Sequence, residues 1–274
     1  MSGVGAAQYI ARVRREIDSL TVPVGPPRRT VTSDLEYTLR TTRHGIAWVD
    51  DSVSDGSYSL TEGISAACER SCEITSFLYA CGAPHKQWRH WAALSAFGLL
   101  LTAGEVATDR DDLARAIQYG VLAGEWQLVA ALSDVEPPRF ERYAEHVVWT
   151  LAVGRTSIES PPTIEDTADV WWSFGNAVIE RHSRAAVLAL DTIADVHMVT
   201  VGAGWTRFLP WTHPLFDLEA GAGAAIARIR GLVTEKDFPE SIRHYLEPGL
   251  AHGEPTRLYP GEWPQPSVIA PSPS

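Results

Sequence analysis

The chain has 274 residues, 45% hydrophobic and 21% charged, with 23 basic residues against 34 acidic ones and a net charge of −11. Such a composition suits a globular protein large enough to bury a substantial core. The acidic balance argues against a nucleic acid partner, because phosphate binding needs the opposite sign.

In chain order, residues 6–20 predict an amphipathic helix, with Ile10, Val13, Ile17 and Leu20 at three- and four-residue spacing. Prolines at 23, 26 and 27 end it. A second helix is expected from the Thr32-Ser33-Asp34 cap to about Trp48, followed by a polar loop over residues 50–56. Ser59 or Thr61 then opens a long helix to about Ala80, stopped by Gly82 and Pro84. Residues 84–103 predict a helix whose Trp88, Trp91, Leu94, Phe97 and Leu101 read as core.

Residues 111–132 read as two short helices joined at Ala123-Gly124-Glu125-Trp126. The bend needs a residue that tolerates positive φ, for which Gly124 is suited, small residues at the contact (Ala130, Ala131) and an aromatic wedge, Trp126. Further helices are expected over 140–153, 164–180, 183–194, 215–232 and 239–246. The β-branched residues and glycines of 197–213 predict a short strand or a long loop instead. Residues 252–274 hold six prolines and are expected to form an extended tail.

About ten helices without strand alternation indicate an all-α fold of antiparallel hairpins stacked as an irregular array or bundle. A single domain over residues 1–251 is expected, with the tail after it. The three cysteines, Cys68, Cys72 and Cys81, form no CxxC pair. The first residues lack the apolar core of a secretory leader, and the longest apolar run, residues 91–103, is shorter than the roughly 20 residues a membrane span needs. A reduced, cytoplasmic protein is therefore expected, with neither membrane nor nucleic acid as partner.

Motifs for small-molecule chemistry are weak. Gly202-Ala203-Gly204 resembles the opening of a dinucleotide loop, but Arg207 stands where the third glycine belongs. No GxSxG elbow occurs. No cofactor is expected. A carboxylate metal centre is the enzymatic alternative: Glu141, Glu145, Glu180, Asp191, Asp195 and His197 could supply ligands from facing helices, although their spacing is not the usual Glu-x-x-His.

The hairpin at Tyr119, Gly124, Trp126 and Ala130 resembles a tetratricopeptide-type unit of helical-repeat adaptor folds. Within that group the chain is similar to the all-helical immunity proteins of bacterial toxin systems, although no second copy of the hairpin recurs at a fixed period. The resemblance implies a protein that binds another protein, such as a toxin domain whose active site it covers. Residues 105–169 carry thirteen acids and five arginines, a balance of −8. Asp109, Asp111, Asp112, Glu125, Glu165, Asp166 and Asp169 are the acids expected to meet a basic protein surface.

Overall fold

Periodic apolar residues and well-placed helix stops give eleven α-helices and no strand among the described residues of the computed structural model, which are 3–21, 35–105, 111–132, 137–138, 140–161, 167–202 and 217–250. The helices are α1 (Gly3–Ser19), α2 (Leu35–Ser54), α3 (Leu60–Ala80), α4 (His85–Glu105), α5 (Asp111–Ala123), α6 (Trp126–Leu132), α7 (Tyr143–Ala152), α8 (Ala168–Ile179), α9 (Ser183–Gly202), α10 (Leu218–Ile229) and α11 (Glu240–Leu250). They gather into two compact units, α1 to the first half of α5 and the second half of α5 to α11, divided between residues 116 and 117. Residues 1–251 are expected as one domain, and the expected tail at 252–274 lies outside the described residues. No helix among the described residues is long and apolar enough to cross a membrane.

In the first unit α1 packs against α2, α3 and α4, and α3 pairs with α4. Ser59 caps α3 as expected: its side chain accepts from Glu62 N–H at 3.2 Å, and the Glu62 carboxylate accepts from Ser59 N–H at 2.9 Å. Tyr9 of α1 is buried and donates its hydroxyl to the Leu94 carbonyl at 3.1 Å. Helix α2 runs on through residues 50–54, where the polar run predicts a loop. Arg14 of α1 accounts for this, because it grips both Asp50 and Asp51 at 2.8 Å and gives two helical acids a cation to face.

The second unit is built from near neighbours in sequence: α7 on α8, α8 on α9 and α10 on α11, with α10 also touching α7 and α9, and α9 touching α11. Trp149, Phe174 and Tyr245 are its largest fully buried side chains, with Phe238. At the α5–α6 bend Gly124 takes φ +79°, as expected. Gly124 N–H donates to Val121 O at 3.1 Å and Glu125 N–H to Gly120 O at 2.8 Å, the paired bonds of a Schellman closure. The close approach differs from expectation. Gly120 lies under Leu128, where an added Cβ would come within 2.7 Å, while Ala130 is exposed and Trp126 only half-buried.

Helix α9 also exceeds its expected end, continuing through residues 195–202. Val and Thr are weak helix formers, and tertiary contacts override that preference. Thr200 returns its hydroxyl to Val196 O at 2.9 Å, and His197 is held from outside the helix by Asp217.

Candidate functional site: a buried charge cluster and the open face of α9

Of the seven acids expected to meet a partner, three have side chains among the described residues. Asp169, in the first turn of α8, is exposed. Asp112 is half-buried and lies 3.5 Å from Arg115. Glu125 is only 4% exposed and so belongs to the interior of the bend rather than to a surface. Asp111 opens α5, but its side chain lies outside the described residues, as do Asp109, Glu165 and Asp166.

The candidate metal ligands are dispersed. Glu141 is exposed, Glu180 is exposed and lies 3.2 Å from His182, and on α9 Asp191 is half-buried and Asp195 exposed. Glu145 and His197 are buried, and each is engaged by a charged neighbour rather than by the other. Among the described residues no three His, Cys, Asp or Glu side chains converge as metal ligands.

What does converge is a charge cluster inside the second unit. Arg142, at the entry to α7, meets Glu145 at 3.3 Å and Glu219 of α10 through both terminal nitrogens, with Nη1 donating to Glu219 Oε2 at 3.1 Å. Glu145 turns its other oxygen back to accept from Glu141 N–H at 3.1 Å, fastening the start of α7. Asp217 is the N-cap of α10. One of its oxygens accepts from Ala220 N–H at 2.9 Å and the other lies 3.2 Å from His197 Nδ1. The His197 ring stands edge-on to Tyr245 of α11, centroids 5.0 Å apart, and its buried Nε2 has no hydrogen-bond partner among the described residues.

The cluster's electrostatics follow from this crowding. Burial pushes Glu219 up to about 8, helped by Asp217 and Glu145 and opposed by Arg142. Burial acts on Asp217 in the same sense, but the His197 contact, the Ala220 N–H and Arg142 outweigh it and hold that carboxyl below its ordinary value. Burial disfavours the Arg142 cation, yet Glu219, Glu145 and Asp217 prevail and raise its pKa. Two carboxylates two residues apart are thus driven in opposite directions.

The second feature is the outward side of α9. Ala186, Ala189, Leu190, Ile193, Ala194 and His197 are buried in the unit. At about 100° per residue, the exposed positions Leu188, Thr192, Asp195, Val196 and Val199 fall together on the opposite face. Leu188 is 58% exposed and Val199 64%, values that leave most of each side chain in water.

Sequence spacing misses Arg142, Asp217 and Glu219 as site residues. Asp217 ahead of a helical run is a recognisable N-cap signal, whereas nothing local ties it to His197 twenty positions earlier. The chain matches no family model, no curated protein and no solved structure.

Proposed function

We propose that this protein acts by binding another protein, and that the outward face of α9 is the surface that meets it. The observation that carries the reading is a helix buried on one side by α8, α10 and α11 that leaves Leu188, Val196 and Val199 exposed on the other. Apolar side chains held in water are unfavourably solvated, and contact with a partner relieves that cost. An amphipathic helix face is a common docking element for a partner's groove or helix.

Charge selects the partner. Residues 117–254 hold nineteen acids and ten basic residues, a balance of −9 out of the chain's −11. The fitting occupant is a protein with an apolar strip inside a basic rim. The resemblance to all-helical immunity proteins makes a toxin domain the reading's specific partner, covered and neutralised by this chain.

The test is titration calorimetry against the protein that co-purifies with this chain or is encoded next to it, with Leu188→Arg/Val199→Arg as the variant. Affinity should fall about a hundredfold or more if these side chains sit at the centre of the contact, with the melting midpoint retained. Equal affinity for both forms would overturn the α9 assignment. Sedimentation of the chain alone showing a dimer that the same variant dissociates would replace the partner with a second copy.

A further inference from the structure

We infer that Glu219 is the proton-binding element of a pH-sensitive lock that ties the start of α7 and the end of α9 to the start of α10. The inference stands on the second unit alone and does not depend on the protein-binding reading.

The geometry sets the charge count. Every element packed against this end of α10 contributes: α7 brings Arg142 and Glu145, α9 brings His197, and α11 brings Tyr245 with the tilted ring of His244 beside it, centroids 3.9 Å apart. Asp217 and Glu219 come from α10 itself and its cap. The other arginines of this region are directed elsewhere, Arg228 to Gly249 O and Arg230 to Leu151 O. Two buried carboxylates, Glu145 and Glu219, and the half-buried Asp217 therefore share one guanidinium and one imidazole. Even with the imidazole protonated, full ionisation leaves the cluster with an uncompensated negative charge, and an unpaired charge in such a site is strongly unfavourable. With the imidazole protonated, a single further proton on a carboxyl restores neutrality.

Glu219 is the carboxyl placed to hold it. Asp217 faces both a backbone N–H and His197, and Glu145 accepts from two backbone N–H groups as well as Arg142. Glu219 has Arg142 alone among the described residues. When it loses its proton, its attraction to Arg142 grows, but the new buried charge repels Glu145 at the start of α7 and Asp217, which pairs with His197 of α9.

The sign of the effect is fixed by linkage. The folded chain keeps its Glu219 proton up to about pH 8, whereas the unfolded chain releases it near 4.5. Between those values the folded state binds more protons, so stability falls as pH rises and levels off above the folded value. A full one-proton difference changes the folding equilibrium roughly tenfold per pH unit.

The experiment is a set of thermal melts of the full chain and Glu219→Gln from pH 5.5 to 9, with carbon-detected NMR titration of the glutamate carboxyls in the native chain. The native midpoint should fall across that range, and Glu219→Gln, which imitates the protonated form, should fall far less and be the more stable protein above pH 8. Parallel melting profiles for the two proteins would overturn the lock. Should Glu219→Gln fail to fold, the NMR titration decides. A Glu219 carboxyl that titrates well above the ordinary range supports the inference, and one that titrates near 4.5 refutes it.

Discussion

Arg181 is the one non-glycine residue with positive φ among the described residues, at 60°. It closes the end of α8 through His182 N–H donating to Ala177 O at 2.8 Å, the same closure that Gly124 makes after α5. A side chain in the left-handed region clashes with its own backbone, and glycine does not. Arg181→Gly should therefore stabilise the protein by about 0.5–1 kcal/mol. A denaturant midpoint that stays put or falls would show that the exposed arginine side chain is doing something the backbone geometry does not reveal.

At the scale of elements, the tightest junction is between α10 and α11. A Cβ on Gly249 would overlap the Gly221 carbonyl oxygen and crowd the Ala225 nitrogen. Backbone cannot rotate aside as a side chain can, so Gly249→Ala should force the helices apart and destabilise by about 1–3 kcal/mol, toward the upper end. Calorimetric melting checks this, and a loss below about half a kcal/mol would mean that the junction slides freely.

Elements of this kind were largely legible in the amino-acid order. The all-α fold, the Ser59 start of α3 and the Gly124 bend depend on apolar periodicity and caps, which are local signals. The extension of α2 over Asp50 and Asp51 and of α9 over residues 195–202 was not legible, because Arg14 and Asp217 supply the deciding contacts from far along the chain. The charge cluster was hidden for the same reason. Glu145 and His197 stand out individually, but only packing brings Arg142, Asp217 and Glu219 to them.

For the molecule as a whole, the acidic charge is uneven, with −9 carried by residues 117–254 and −2 by the rest. If a basic partner is drawn to that field, its association rate should drop steeply between about 20 and 300 mM salt, as the Debye length shrinks below about 10 Å, while dissociation changes little. Stopped-flow mixing with the partner separates the two rates. An association rate indifferent to salt would reduce the charge to a solubility device.

The pairing of α3 with α4, α7 with α8, α8 with α9 and α10 with α11 also bears on how quickly the chain reaches its native state. Each pair joins helices adjacent in sequence, so much of the second unit can assemble before any long loop has to close. Folding barriers rise with the sequence distance that contacts must span. The cluster is the exception, since it needs residues 142, 197 and 219 to arrive together. Hairpins that form early and a charged junction that is completed late would confine the slow step of folding to the meeting of α7, α9 and α10, leaving the partly folded chain with its carboxylates still in water until the final consolidation.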